Sequence, residues 1–164
     1  GMMNNYCSDI TRTWPIGGKF TKGQVELYEA VLNVQSMILQ VMRSEAKYSL
    51  MDLHSISYYG TMEELKRLGF SKPERCVEQL YPHSIGHHLG MDLHDCPTVP
   101  YEQELSPGMV VTVEPGLYVP DSLEYPERFR GIGVRIEDDV VIEGAGEVTV
   151  MTAEAPKDLQ TLFK

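Results

Sequence analysis

Cysteine is scarce in this chain of 164 residues, and no Cys-x-x-Cys pair occurs. Cys7, Cys76 and Cys96 are odd in number, which argues against a disulfide framework and for a reducing compartment. Long apolar runs are missing too. None approaches the ~18–20 residues that span a bilayer, so no membrane is expected as a partner. No basic start followed by apolar and small residues marks a signal peptide. The Gly1-Met2 start reads as a tag remnant followed by an internal methionine, so the lack of a signal says nothing about targeting. Basic residues are few: Lys+Arg total 14 against Asp+Glu 24, a formal charge of -10. An acidic chain repels phosphate backbones, which makes nucleic acid a poor partner. Repeats, low-complexity stretches and long linkers are also absent. What remains is an ordinary composition, 42% apolar and 23% charged, enough to bury a core in one domain.

Asn5–Trp14 is rich in β-branched and aromatic residues, stops at Pro15 and reads as a strand. Thr21 and Gln24 have the spacing of a capping box. Leu27, Val31, Val34, Ile38 and Val41 then recur at spacings of four and three, the signature of an amphipathic helix. Ser49 and Asp52 open a second helix, which Leu53, Met62, Leu65 and Leu68 continue and Gly69 closes, with Gly60 as an interruption. After Pro82 the chain turns to short β-rich runs at Met109–Val113, Val134–Ile136 and Val140–Ile142. Ser106-Pro107-Gly108 and Glu114-Pro115-Gly116 are turn signals, and Asp138-Asp139 is expected at a bend between the last two strands. Asp121–Phe129 reads as a polar surface loop and Pro156–Phe163 as a short terminal helix. Strand, two helices, then several strands is an α+β order.

Chemistry concentrates in PHSIGHHLGMDLHD, which holds His83, His87, His88 and His94. Glu114 in TVEPG, Glu137 in VRIED and Asp9 in the first predicted strand add isolated acids. Imidazole with carboxylates suits Mn²⁺, Zn²⁺, Co²⁺ or Fe²⁺. With only Cys96 at the cluster's edge, a Cys-rich structural zinc site is not expected. Taken singly, each residue has a plainer reading. The histidines could form a solvated loop, since Pro82, Gly86 and Gly90 argue against a helix and no His-Glu-x-x-His is present. Glu137 could pair with Arg135, two residues away on one sheet face, and Asp9 with the nearby Arg12. Glu114 could be an exposed strand-end acid, although its apolar neighbours and the Pro-Gly turn favour burial. A buried carboxylate needs a cation or hydrogen-bond donors.

Together the runs SDITRTWP, PHSIGHHLGMDLHD, SPGMVVTVEPGLY and RGIGVRIEDD, in this order, resemble the pita-bread metallopeptidases: methionine aminopeptidase, prolidase and Xaa-Pro aminopeptidase. YCSDITRTWP and GHHLGMDLHD are most similar to the mitochondrial Xaa-Pro aminopeptidases, the intermediate-cleaving peptidases. The resemblance runs from Tyr6 to the TAEAPK region. It implies the C-terminal portion of a pita-bread (creatinase/aminopeptidase) fold, two helices packed on a curved, mostly antiparallel sheet. It makes Asp9, His87, Glu114 and Glu137 metal ligands for two Mn²⁺-like ions that share a bridging water; Zn²⁺ and Co²⁺ suit the same set. Asp9 and Glu137 would bridge both ions. His83 and His94 match substrate-side histidines, Arg135 the arginine before the bridging glutamate, and His88 no ligand. Glu114 would double as proton acceptor. The implied activity is release of the N-terminal residue of peptides, of Xaa-Pro type, in a mitochondrial or cytoplasmic setting.

The family pattern also has an aspartate about eleven residues upstream of Asp9, and no acid precedes Asp9 here. The first half of the family's catalytic domain and its N-terminal domain have no counterpart either. Two expectations follow: the chain is inactive or nearly so, and its Asp9 strand is an unpaired edge that drives a homodimer by strand exchange. A non-catalytic pita-bread binding module and a regulatory short isoform remain as alternatives.

Overall fold

The computed structural model describes residues 1–44, 47–144 and 146–162. Helix α1, Lys22–Met42, starts where the sequence places it. The Thr21 hydroxyl accepts from the Gln24 N–H, and the Gln24 side chain answers to the Thr21 N–H. Helix α2, Leu50–Arg67, starts on the reciprocal pair Ser49 and Asp52. It closes through Gly69, whose φ of +83° a side chain would resist. Gly60 does not interrupt α2, which runs unbroken through it, and a Cβ there would sit 2.4 Å from Met37 Cε. It lets the two long helices approach closely. A third helix, α3, Pro73–Leu80, lies outside the sequence expectations, although Pro73 at its first turn and the inward-facing Cys76, Val77 and Leu80 are the usual signs.

The predicted strand Asn5–Trp14 is regular only in part. Strand β1, Met2–Met3, pairs with β2, Tyr6–Cys7, through Asn4 and Asn5, both at positive φ. Two left-handed residues make the tight hairpin turn that asparagine tolerates. Tyr6–Cys7 therefore has a strand partner, and further on Thr11 bridges Glu137; the expected bare edge is corrected to that extent.

The remaining strands are β3, Val110–Val113; β4, Gly116–Tyr118; β5, Gly133–Arg135; β6, Asp138–Gly144; and β7, Glu147–Val150. They pair antiparallel as β3-β6-β7 and β4-β5, and a short helix α4, Leu159–Leu162, follows. Phe163 lies outside the described residues. The architecture is α+β, as expected. Asp138 and Asp139 are not at a bend. They are buried residues of β6 paired with Val113 and Thr112, and the break falls at Ile136-Glu137 instead. Asp121–Phe129 is not wholly a surface loop, because Tyr125 and Phe129 are buried and Glu127–Phe129 forms a 3₁₀ turn.

Helix α1 serves two apolar clusters. Its first half, Leu27 and Val31, packs with Leu65, Val77, Phe129 and Ile136. Its second half, Ile38, packs with Leu53, Ile85, Val111, Val113 and Val140. Each fully buried aliphatic side chain contributes roughly 1.5–3 kcal/mol. The loop that carries the histidines runs between these clusters, anchored by Ile85 and Leu89.

Candidate metal centre

His87 organises the site. Its backbone N–H donates to Thr112 Oγ1 at 3.0 Å, and its carbonyl accepts from the Thr112 N–H, so β3 holds the loop. Gly86 makes this possible: a Cβ there would lie 1.9 Å from the Thr112 carbonyl oxygen. The His87 Nδ1 lies 3.0 Å from the His88 carbonyl, which can only accept. Nδ1 therefore carries the proton and Nε2 carries a lone pair.

That lone pair is aimed at oxygen. Asp9 Oδ2 and Glu114 Oε1 each lie 3.4 Å from His87 Nε2. The atom is buried and has no hydrogen-bond partner in the structure. Three electron-pair donors thus converge, and a cation or a proton between them relieves such a group. Glu137 joins from the break before β6. One carboxylate oxygen of Glu137, one of Glu114 and a His87 nitrogen lie within 4.8 Å of one another, and so do single ligand atoms of Asp9, His87 and His94. The ring of exposed His94 meets the His87 ring edge-on at 4.3 Å. Mixed imidazole and carboxylate donors at this spacing fit Mn²⁺, Zn²⁺ or Co²⁺.

The electrostatics agree. Burial pushes the carboxyls of Glu114 and Glu137 above their usual range, because an anion is costly out of water. The neighbouring Asp139 is pushed up to about 6, chiefly by burial, although the Asp9 N–H pulls the other way.

Arg135 donates to Thr11 Oγ1 at 3.0 Å, and Thr11 in turn hydrogen-bonds Glu137 Oε2. Arg135 also lies 3.9 Å from the Glu137 carboxylate, the pair that the plain reading expected. Arg12, however, pairs with Asp138, not with Asp9. His83 stands apart from the ligand cluster. Its Nδ1 donates to the Ser84 carbonyl and its Nε2 accepts from the Tyr118 hydroxyl, each at 2.9 Å. In this state it has no proton to offer from Nε2, and burial lowers its pKa. His88 takes no part in the cluster, and its backbone bridges Val111.

Thr11, Thr112, Tyr118, Asp138 and Asp139 are absent from the sequence-based site. Part of the signal was there. Thr11 and Asp139 lie two residues from Asp9 and Glu137, hence on the same face of an extended chain. A cavity of about 560 Å³ opens beside the cluster, lined by His83, His87, His94, Tyr101, Glu114 and Arg135.

Residues 1–144 match metallopeptidase family M24. Intermediate cleaving peptidase 55 of Saccharomyces cerevisiae is 48% identical over 163 residues, covering 99% of this chain and 32% of the relative. Xaa-Pro aminopeptidase 3 of Mus musculus is 44% identical over 163 residues, covering 96% of this chain and 32% of the relative. The crystal structure of Icp55 from S. cerevisiae with its N-terminal 58 residues deleted superposes with a TM-score of 0.93 at 47% identity. It covers 99% of this chain and 39% of that one, and shows the pita-bread fold. The chain therefore spans about a third of the length of the curated relatives it matches.

Proposed function

The chain belongs to metallopeptidase family M24, and from that premise we propose that it carries the metal-binding part of an Xaa-Pro-type aminopeptidase. The observation that carries the reading is the buried, unpartnered Nε2 of His87 facing the carboxylates of Asp9 and Glu114. Asp9, His87, Glu114 and Glu137 would hold divalent metal, two Mn²⁺ in the complete site. Such a centre lowers the pKa of a bound water and polarises a carbonyl under attack.

The other steps belong to the chain's own groups. Glu114, with its raised pKa, is suited to take a proton at a carboxylate oxygen and hand it on to the departing amine. His94, exposed beside His87, is placed to donate to a developing oxyanion. Tyr118 gives its one hydroxyl proton to His83 Nε2 and so fixes that ring beside the cavity. Arg135 keeps Glu137 in place through Thr11. Peptides are the substrates this reading requires, with the free N-terminus at the metal and proline next in line.

These 164 residues contain no acid before Asp9, and by themselves they are proposed to bind metal weakly and to hydrolyse little. A homodimer over the exposed Met2, Tyr6, Trp14 and Ile16 belongs to the same proposal, as does a mitochondrial or cytoplasmic location. A monomer by light scattering at high concentration would remove the dimer. Mn²⁺ titration followed by electron paramagnetic resonance tests the centre, with Glu114→Ala as control. Saturable binding that the substitution abolishes supports the reading. Binding that Glu114→Ala leaves unchanged overturns it. Brisk, chelator-sensitive cleavage of Xaa-Pro peptides by the isolated chain would overturn the proposed inactivity alone.

A further inference from the structure

Asp9 and Glu137 must face one another, yet they come from opposite ends of the chain and Asp9 lies in no strand. Its backbone N–H donates to both oxygens of the Asp139 side chain, at 3.3 and 3.2 Å. Three residues on, Arg12 spreads its guanidinium over six acceptors, the Thr152 carbonyl at 3.5 Å from Nη2 among them. Nη1 donates to the carbonyls of Glu137 at 2.7 Å and Thr11 at 3.0 Å. Nη2 donates to Asp138 Oδ1 at 2.8 Å and the Ala155 carbonyl at 2.9 Å, and Nε to the Pro156 carbonyl at 3.1 Å. The other Asp138 oxygen takes Gln35 of α1 and Lys157. Adjacent residues of β6 point to opposite faces, so the two aspartates after Glu137 reach the N-terminal segment from opposite sides of the sheet.

We propose that Asp138 and Asp139 are positioning residues, a two-sided clamp that holds segment 9–12 so that Asp9 and Glu137 present their carboxylates to the same ion. Asp139 sets the backbone at Asp9, and Asp138 sets the Arg12 fork that holds Thr11 and Glu137. Neither needs to touch the metal. The link to metal rests on the functional reading above; the clamp itself does not.

The test uses two comparisons in which charge is constant. Arg12→Lys keeps the cation but replaces a fork that reaches six acceptors with one ammonium. Asp139→Ala and Asp139→Asn lose the same charge, and only the asparagine keeps an acceptor for the Asp9 N–H. Far-UV circular dichroism reports folding. Amide exchange at Asp9 by NMR in the metal-free chain, and Mn²⁺ affinity, are the readouts. Asp139→Ala is expected to exchange at Asp9 at least about tenfold faster than Asp139→Asn and to bind Mn²⁺ at least about tenfold more weakly. Folded Arg12→Lys is expected to lose Mn²⁺ affinity to a similar extent. If it does not fold, the Asp139 pair decides. Equal exchange in the Asp139 pair overturns the clamp. Unequal exchange with no Mn²⁺ binding by the unaltered chain upholds the clamp and overturns the metal reading instead.

Discussion

His87 Nε2 lies 3.4 Å from Glu114 Oε1 with no proton to share between them, since the ring proton sits on Nδ1 against the His88 carbonyl. Lone pair facing lone pair in a buried place is a cost that the folded chain carries until a cation, or a proton, arrives. Glu114→Gln should relieve it. The amide N–H₂ can donate to Nε2, and a buried charge is gone. The metal-free chain is expected to gain about 1 kcal/mol of stability, read by urea denaturation, while Mn²⁺ affinity falls by at least roughly tenfold. Lower stability in chelator would contradict the geometry.

Burial beside this contact gives a pH dependence. Burial raises Asp139 from its ordinary 3.8 to about 6, so the folded chain holds that proton more tightly than the unfolded chain does. Its contribution is therefore fully present below about 3.8 and is lost as pH climbs through about 6. Asp139→Asn removes the effect. In chelator the variant should match the unaltered chain near pH 4 and exceed it by on the order of 2–3 kcal/mol above pH 6. Glu114 and Glu137 are raised in the same direction, so Mn²⁺ binding should release protons and tighten as pH rises. A difference that does not grow with pH would rule this out.

Asp138 behaves in the opposite sense. Arg12, Lys157, Gln35 and Thr152 surround its fully buried carboxylate, and the hydrogen bonds from Lys157, Arg12 and Thr152 hold its pKa below the usual value despite burial. Its contribution is present above the ordinary 3.8 and fades only as pH falls through the lowered value. Asp138→Ala leaves Arg12 nearly buried without its partner, and the expected loss is about 3–5 kcal/mol at neutral pH by thermal or chemical denaturation. A loss under about 1 kcal/mol would show that the charge network contributes little.

Gly86→Ala tests how β3 holds the histidine loop. The added methyl would lie 1.9 Å from the Thr112 carbonyl oxygen, a backbone atom that cannot turn aside. Either β3 or the loop must move, at a cost of about 1–3 kcal/mol. The His87 to Thr112 hydrogen bonds should break with it, so Mn²⁺ affinity should fall even in chain that remains folded. Unchanged affinity would show that His87 is held elsewhere.

The long helices were legible because their signals are local. Thr21 with Gln24, and Ser49 with Asp52, close hydrogen bonds within one turn, and the apolar spacing that follows needs no distant partner to be read. The candidate ligands were legible as residue types, and family M24 membership agrees with the resemblance the motifs carried. The short elements were not. β4 and β7, at three and four residues, exist because β5 and β6 lie beside them, and no local pattern states that. Asp138 and Asp139 looked like a polar bend, since two acids in a row suit a solvated turn; only their partners, Arg12 and Lys157 on one side and the Asp9 N–H on the other, make them interior. Sequence alone thus determined which groups were available and where the two long helices begin. Tertiary structure decided which lone pairs face each other, because that depends on bringing together residues such as Asp9, His87 and Glu114 that lie far apart along the chain, and burial then sets which of those groups need a cation.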